Sequence, residues 1–95
     1  MKVIFSKEAS QDLEAIGDWI AQENPERAFS FVTELRHDCL SLGDFEERNP
    51  VYKMSDLGEI RKRVFGSYVV FYIVNDDMVS IARIIHGARN YANII

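Results

Sequence analysis

The side chains that could do chemistry in this 95-residue chain are mostly basic and lie toward its C-terminal end. Guanidinium groups that converge bind phosphates or carboxylates well, because their planar forks make paired, charge-assisted hydrogen bonds. A neighbouring histidine or tyrosine could transfer a proton. Two interpretations stand equal: an anion-binding site, or arginines that pair with acidic helices and decorate a sheet. The cluster consists of Arg61, Arg63, Arg83, His86 and Arg89, with Tyr91 beside it.

Other kinds of site find no support in the sequence. It has no glycine-rich phosphate loop, no metal-ligand spacing and no nucleophile elbow, so we expect neither a cofactor nor a metal. We expect His37 on the polar side of a helix. The single Cys39 excludes an internal disulfide and a cysteine-based zinc site, and it suits a reducing cytosol. Because Cys39 falls on an apolar helical stripe, we predict a buried thiol without a reactive role.

Charge is distributed unevenly along the chain. Eleven Lys and Arg side chains against 15 Asp and Glu side chains give a formal net charge of −4. Residues 1–50 carry 5 basic and 11 acidic side chains, whereas residues 51–95 carry 6 basic and 4 acidic ones. This balance argues against a generic polyanion binder and leaves room for a local basic surface in the second half.

No segment is typical of a targeting or membrane sequence. The longest apolar run, Tyr68–Val74, is far shorter than the roughly 18 residues of a membrane span. Residues 1–20 lack the basic region and apolar core of a secretory signal. We therefore expect a cytoplasmic protein with no membrane partner.

A short strand and two helices come first. Met1–Phe5 is predicted as a strand and Ser6 as the N-cap of the first helix. Asn24 and Pro25 predict the start of the second helix, and Gly43 its end. We expect an antiparallel hairpin, with the carboxylates of the first helix solvated. Apolar positions spaced by three and four residues predict the buried stripes, which are Ala9, Leu13, Ile16 and Ile20, then Ala28, Val32, Leu35, Cys39 and Leu42.

The last third of the chain is predicted to be rich in strands. Residues 44–58 are predicted as a loop that lies against the domain, and residues 87–95 as a tail of mixed character. The whole chain, residues 1–95, is therefore predicted as one α+β domain with a three-stranded meander. The predicted strands are Glu59–Phe65, Ser67–Val74 and Met78–His86, joined by turns at Gly66-Ser67 and Asn75–Asp77.

Four stretches of the sequence resemble the RelE/ParE superfamily of toxins from bacterial type II toxin–antitoxin modules. They occur in the family's order and together span nearly the whole chain. The resemblance implies a helical hairpin packed on a small twisted antiparallel sheet, which agrees with the elements predicted above. The stretches are Phe5–Ala9 leading into Asp12, Leu13 and Ile16; Asn24–Ala28; Arg61–Val64 followed by Tyr68–Tyr72; and Ile84–Asn90.

The superfamily divides by activity, and this chain resembles the ParE type more closely. RelE-type members resemble ribosome-dependent mRNA endonucleases, whereas ParE-type members resemble inhibitors of DNA gyrase. The RelE-type pattern carries a catalytic arginine where this chain has Val69, and a tyrosine where it has Ile95. The arginine of the last motif is retained as Arg89. The missing charge stabiliser and the net acidity both favour the ParE type.

The resemblance therefore implies a toxin that binds DNA gyrase without being an enzyme. Its expected partner is a cognate antitoxin, a ribbon-helix-helix protein with a flexible C-terminal segment. No sequence-specific nucleic-acid binding by the toxin alone is expected. A homologue that has lost activity and binds only its antitoxin is one alternative. The other is a ribosome-dependent mRNA endonuclease that uses Arg61, Arg63, His86, Arg89 and Tyr91.

A surplus of large apolar side chains predicts a surface that is covered only in a complex. By resemblance, a disordered antitoxin segment folds over this surface as it binds. Nearby arginines are expected to pair with acidic residues of that segment. The apolar candidates are Trp19, Phe29, Phe31, Ile94 and Ile95, and the basic candidates for target or antitoxin binding are Arg61, Arg63, Arg83 and Arg89.

Overall fold

A five-stranded sheet forms the centre of the protein in the computed structural model, which describes residues 1–45 and 48–95. The strand order is β1-β5-β4-β3-β2. Both helices pack on one face of this sheet, so the predicted α+β class is confirmed. In chain order the elements are β1 (Lys2–Phe5), α1 (Lys7–Ala21), α2 (Pro25–Phe45), β2 (Val51–Ser55), β3 (Gly58–Phe65), β4 (Tyr68–Asn75), β5 (Met78–His86) and a 3-10 turn (Tyr91–Asn93).

Both helices begin where the sequence predicts. The Ser6 hydroxyl accepts a hydrogen bond from the Ala9 N–H at 3.0 Å, and the Asn24 side chain accepts one from the Arg27 N–H at 3.0 Å. These caps satisfy amides that have no partner inside the first helical turn. Every position of the two predicted stripes is buried except Ile20 and Val32, which are half-buried.

The predicted end of α2 at Gly43 is wrong, because the helix continues to Phe45. Gly43 is buried inside the helix, and a Cβ there would collide with the carbonyl oxygen of Met1. The Met1 ammonium donates a hydrogen bond to the Gly43 carbonyl oxygen at 2.8 Å. This glycine therefore permits a close approach between α2 and the chain just before β1, and it does not stop the helix.

The prediction of a loop over residues 44–58 is wrong in part, because it contains the edge strand β2. This strand pairs antiparallel with β3 through an irregularity between Val51 and Lys53. The ring of Tyr52, inside that irregularity, packs against the rings of Phe71 and Tyr91. A bulge interrupts the alternation of apolar and polar residues that identifies a strand, so this short strand could not be predicted from the pattern. Glu46 and Glu47 of the predicted loop lie outside the described residues.

The predicted meander is present as β3, β4 and β5, with boundaries within one residue of the expected ones. The sheet is wider than predicted because β2 adds to one edge and β1 to the other. β1 runs parallel to β5, with Lys2 opposite Met78 and Phe5 opposite Ile81. Among residues 1–45 and 48–95, no strand pairs with this edge of β5 beyond Ile81.

The sheet has two apolar faces with different covers. We call the side under α1 and α2 the helical face, and the side under the C-terminal residues the tail face. In the described residues, no helix has the length and apolar character needed to cross a membrane. The helical face carries Val70, Tyr72, Val79, Ile81 and Ile84, and the tail face carries Ile60, Val69, Phe71, Ile73 and Ile85.

Candidate functional site

A cleft of about 440 Å³ opens between α1 and the end of β5, and we call it the α1–β5 cleft. Apolar side chains of both elements line it, and Trp19, His86 and Arg89 are exposed at it. The cleft forms where β1 has stopped pairing with β5, so that α1 borders the free end of the strand. Its lining residues are Asp12, Ala15, Ile16, Trp19, Tyr68, Ile84, Ile85, His86 and Arg89.

Where β1 ends at this edge of the sheet, side chains form hydrogen bonds with the backbone of β5. The Ser6 hydroxyl donates to the Ala82 carbonyl oxygen at 2.8 Å, and the Asp12 carboxylate accepts from the Ile84 N–H at 2.9 Å. Arg83 donates to both oxygens of the same carboxylate, at 2.8 and 3.0 Å. These hydrogen bonds from Arg83 to Asp12 raise the pKa of the Arg83 guanidinium. Arg83 therefore fixes α1 to β5.

A second arginine makes an equivalent connection between α2 and the sheet. Arg63 on β3 donates to the two carboxylate oxygens of Asp38 at 2.6 and 2.8 Å, and this raises the pKa of the Arg63 guanidinium. Arg61 donates to the Asn49 carbonyl oxygen at 2.6 Å and to the Glu59 carboxylate at 3.0 Å. Arg63 and Arg83 therefore form ion pairs with the acidic helices, as the second interpretation of the basic cluster predicts.

A small polar group lies at the cleft itself. The ring of His86 stands edge-on to the ring of Tyr68, with 5.2 Å between centroids. His86 Nδ1 accepts a hydrogen bond from the Ala88 N–H at 3.1 Å, which leaves Nε2 to carry the proton of the neutral ring. Burial raises the pKa of the Tyr68 phenol. With the exposed Arg89, these groups could bind an anionic or polar group of a partner.

The structure does not bring the proposed endonuclease set together. Tyr91 lies on the tail face, where its ring packs 5.1 Å from that of Phe71, so the sheet separates it from His86. Arg61 pairs with Tyr72, four residues along β4 from Tyr68, a separation of about 13 Å. Asp38 on α2 engages Arg63, and Asp12 on α1 engages Arg83, so neither guanidinium group is available to join His86. Of the two interpretations left open by the sequence, the structure therefore favours pairing with the acidic helices over one convergent cluster.

Comparison with known proteins agrees with the fold described above. A family model described as the ParE toxin of the type II toxin–antitoxin system parDE matches residues 3–91. The chain belongs to this family. It is also similar to "Toxin RelE2" of Caulobacter vibrioides, with 35% identity over 88 residues that cover 93% of this chain and 97% of that protein.

Two solved structures share the fold of this ParE-family toxin. A chain of the "Chromosomal ParDE TA system from P. aeruginosa" matches with a TM-score of 0.76 and 20% identity, over 90% of this chain and 95% of that one. A chain of the toxin–antitoxin complex RelBE2 from Mycobacterium tuberculosis matches with a TM-score of 0.65 and 20% identity, over 90% and 95%. At this identity, the likeness concerns the fold alone.

The apolar candidates on the helices of the toxin differ in exposure. Trp19 is 69% exposed and Phe29 is 79% exposed, as a surface for a partner requires. Phe31, in contrast, is half-buried, and its ring lies 5.7 Å from the rings of both Phe65 and Tyr68. Phe31 therefore belongs to the packing between α2 and the sheet, and the expectation that it is uncovered is wrong.

The two apolar residues at the end of the toxin are also covered by its own chain. Ile94 and Ile95 are half-buried and pack against the cluster of the tail face. The 3-10 turn at Tyr91–Asn93 directs them there, because the N–H groups of both residues donate to the Tyr91 carbonyl oxygen. They help to close the core, so the expectation of two uncovered tail residues is wrong.

The acidic partners of the arginines are the residues that sequence reasoning missed. Asp12 was expected to be solvated with the other carboxylates of α1, yet its side chain is only 16% exposed. Asp38 on α2 is similar, at 15%. Each directly precedes a buried stripe residue, Leu13 or Cys39. A carboxylate at the border of a stripe faces the edge of the packed surface, and that position is the signal that could have identified both.

The prediction of a buried thiol at Cys39 is confirmed. The residue is 0% exposed in the core of the helical face. Burial, reinforced by the negative charge of Asp38, raises the pKa of the Cys39 thiol to about 12. A thiol with such a pKa carries almost no thiolate at neutral pH, so it is a poor nucleophile.

Proposed function

We propose that this toxin binds and inhibits DNA gyrase in the cytoplasm and is neutralised by a cognate antitoxin. The observation that carries the proposal is Val69, which stands where the RelE-type pattern has a catalytic arginine. Val69 is 7% exposed and packs with Phe71 and Ile85 on the tail face. An apolar side chain in this place supplies no charge to a phosphate during cleavage, which argues for inhibition by binding.

The engaged arginines support the same proposal. The guanidinium groups of Arg63 and Arg83 each form an ion pair with a carboxylate of a helix. Neither group can approach a phosphate without breaking that ion pair. The net charge of −4 also disfavours docking on ribosomal RNA, where neutralisation of phosphates dominates affinity.

The α1–β5 cleft is the surface that we assign to the target. Trp and Arg are enriched among the side chains that carry most of the free energy of protein–protein binding. Trp19 and Arg89 lie at the cleft with His86, and all three are exposed. Their position beside an apolar floor gives the arrangement of a binding site with a central anchor and a polar rim.

Gyrase assays test this proposal. The purified toxin should inhibit supercoiling by gyrase and trap cleaved DNA, in proportion to its concentration. An Arg89→Ala variant should be weaker in both assays, whereas Lys53→Ala, a change of an exposed cation on β2, should match the unaltered toxin. If the folded toxin leaves supercoiling intact and traps no DNA, the proposal is wrong.

Ribosome-dependent mRNA cleavage is the second candidate. The similarity to "Toxin RelE2" favours it, and His86 could act as acid or base beside Arg89 in the α1–β5 cleft. A translation reaction followed by primer extension should then show cuts at defined positions of the message, and His86→Ala should remove them. An uncut message together with gyrase inhibition would decide for the first candidate.

The antitoxin is the proposed partner in either case. The likeness to chains of two toxin–antitoxin systems supports this part of the proposal. We expect the neighbouring open reading frame to encode a ribbon-helix-helix protein with a flexible C-terminal segment. Its product should copurify with the toxin and restore the growth of cells that express it. A neighbouring product that neither binds nor rescues would contradict this assignment.

A further inference from the structure

The α1–β5 cleft holds more hydrogen-bond donors than acceptors among its side chains. Four of its side chains are donors, and within residues 1–45 and 48–95 none of them has an acceptor. They provide the indole N–H of Trp19, the hydroxyl of Tyr68, the Nε2–H of His86 and the guanidinium group of Arg89. Burial raises the pKa of the Tyr68 phenol, so its hydroxyl keeps its proton at neutral pH. The cleft therefore presents a set of donors to a molecule that enters it.

Asp12 is the one acidic residue among the described residues that line the cleft, and its carboxylate is already engaged. It accepts two hydrogen bonds from Arg83 and one from the Ile84 N–H. Both of its oxygens are thereby used, and the guanidinium group of Arg83 neutralises its charge. The exposed carboxylates of Glu14 and Asp18 line a different groove, between α1 and α2. The donors of the cleft therefore have no competing carboxylate beside them in the described part of the chain.

Arg89 carries the permanent positive charge of the cleft. It is exposed, and no ion pair, hydrogen bond or ring contact with a described residue involves its guanidinium group. The three other basic candidates for binding a partner are engaged within the chain, and they are Arg61, Arg63 and Arg83. Arg89 can therefore receive an anionic group of a partner without breaking an existing contact.

Apolar side chains form the floor of the cleft beside these donors. Ile16 on α1 is 7% exposed and Ile84 on β5 is 3% exposed, whereas the Trp19 ring stays largely uncovered. A rigid aromatic ring beside a buried apolar floor offers a partner a large contact area at little cost in conformational entropy. An apolar side chain of a partner can therefore pack in the same cleft as the group that binds Arg89.

The charge of the cleft fits a carboxylate better than a nucleic-acid backbone. Duplex DNA carries one negative charge per about 1.7 Å of its axis, so a protein binds it with several cations. Among the described lining residues, the cleft has one permanent cation, Arg89, in a chain with a net charge of −4. A single guanidinium group matches a single carboxylate, because its planar fork donates paired hydrogen bonds to both oxygens.

We propose that the α1–β5 cleft binds a short acidic segment of the target protein. A Glu or Asp carboxylate of that segment accepts hydrogen bonds from Arg89 and His86, and an adjacent apolar side chain packs between Trp19 and the floor of the cleft. The Tyr68 hydroxyl is a further donor, since its ring stands edge-on to that of His86. This inference rests on the target site proposed above and adds the chemistry that the target must present there.

A synthetic peptide tests the chemistry of the cleft without gyrase. The probe is the capped pentapeptide Glu-Leu-Glu-Leu-Glu, and its control is the same peptide with Gln in place of each Glu. When it is titrated into isotope-labelled toxin, the Glu peptide should shift the NMR signals of the Trp19 indole N–H and the Arg89 Nε–H. The Gln peptide should bind at least about tenfold more weakly, because it offers no charge to Arg89. Equal shifts from both peptides, or none from either, would overturn the inference.

Two conservative variants assign the binding of the Glu peptide to the cleft. Arg89→Gln removes the charge of an exposed residue and should weaken binding at least about tenfold. Tyr68→Phe removes only the hydroxyl, while the ring keeps its contact with Phe31, and should weaken binding by a smaller factor. The matched control is Lys53→Gln, which removes an exposed cation on β2. Equal affinities of Arg89→Gln and Lys53→Gln for the peptide would contradict the assignment.

Gyrase prepared without DNA separates this inference from the proposed function. Arg89→Gln should lower the affinity of the toxin for DNA-free gyrase at least about tenfold, whereas Lys53→Gln should leave it unchanged. A loss that occurs only when DNA is present would mean that Arg89 contacts a phosphate of the DNA. That result would overturn the inference and leave gyrase as the target. A toxin that binds the Glu peptide but not gyrase would retain the acidic-segment site, and the proposed function would fail.

Discussion

The carboxylate of Asp12 on α1 accepts two hydrogen bonds from the guanidinium group of Arg83, 71 residues further along the chain. The same carboxylate accepts the Ile84 N–H at the point where β1 no longer pairs with β5. One side chain thereby satisfies an edge amide, neutralises an arginine and determines where α1 crosses the sheet. The α1–β5 cleft owes its shape to this connection, because Asp12 is also part of its wall.

Asp12→Ala should lower the free energy of unfolding by about 1.5–3 kcal/mol, the range for hydrogen bonds that involve a charged group. The variant leaves the Arg83 guanidinium without its carboxylate and the Ile84 amide without its acceptor. Denaturant titration measures the effect, with Gln11→Ala, an exposed neighbour on α1, as the control within about 0.5 kcal/mol. Equal stability of the two variants would show that the connection is weak.

Leu13→Ala should destabilise the toxin by about 2–4 kcal/mol, because it removes a buried side chain from the contact of α1 with the core. Leu13 is 5% exposed in the cluster of the helical face. Val32→Ala should cost less, since Val32 is half-buried and loses fewer methyl groups. Midpoints of chemical denaturation provide the test, and unchanged midpoints would contradict the packing of both helices.

The elements with a strong local pattern could be predicted from the sequence, and those fixed by distant contacts could not. The caps at Ser6 and Asn24 and both buried stripes follow from rules that act within one helical turn. Gly43 has the residue type of a helix end, but its place is decided by the approach of Met1, 42 residues away. The position of β1 beside β5 likewise depends on a pairing that no local pattern specifies.

The stability of the toxin should fall as the pH rises above about 9. Burial raises the pKa of the Cys39 thiol from 9.0 to about 12, so between these values the unfolded chain releases a proton that the folded chain retains. Stability from this source is complete below pH 9 and is lost progressively up to pH 12, by at most about 1.4 kcal/mol per pH unit.

Cys39→Ala provides the control for this pH dependence. Unfolding free energies at pH 8 and pH 10 should differ for the unaltered toxin, and the difference should shrink in the variant. The thiol should also resist alkylation by iodoacetamide in the folded toxin and react after unfolding. Rapid alkylation of the folded toxin at neutral pH would contradict the buried position of Cys39.

Arg89→Ala should weaken inhibition of gyrase about tenfold or more, which corresponds to a loss of about 1.4 kcal/mol in binding free energy. Arg89 is exposed at the α1–β5 cleft, so its removal should leave the thermal midpoint unchanged. Fluorescence of Trp19, the single tryptophan, gives a second measurement. Its emission should shift to shorter wavelength when the target covers the cleft, and an unshifted spectrum at saturation would place the target elsewhere.

The candidate site was only partly predictable for a related reason. The sequence singles out His86, the last residue of β5, and Arg89 beyond it, and the structure has both exposed at the α1–β5 cleft. It could not show that Arg63 forms an ion pair with Asp38. Nor could it show that Arg83 pairs with Asp12, since each pair joins residues far apart in the chain. The side of the sheet that Tyr91 occupies depends on how the 3-10 turn closes, which residue types alone do not determine.

The pairing of β1 with β5 has a consequence for the synthesis of the protein. β1 can pair with β5 only after residues 78–81 have been synthesised, and the Asp12 carboxylate can bind the Arg83 guanidinium only after Arg83 has been added to the chain. Until then, the nascent helical hairpin lacks the β5 part of its packing surface, Val79, Ile81 and Ile84, and its folding must bridge long loops. A message truncated before β5 should therefore yield a chain that cells degrade rather than a weakened toxin, so growth arrest should begin only after complete copies have been released.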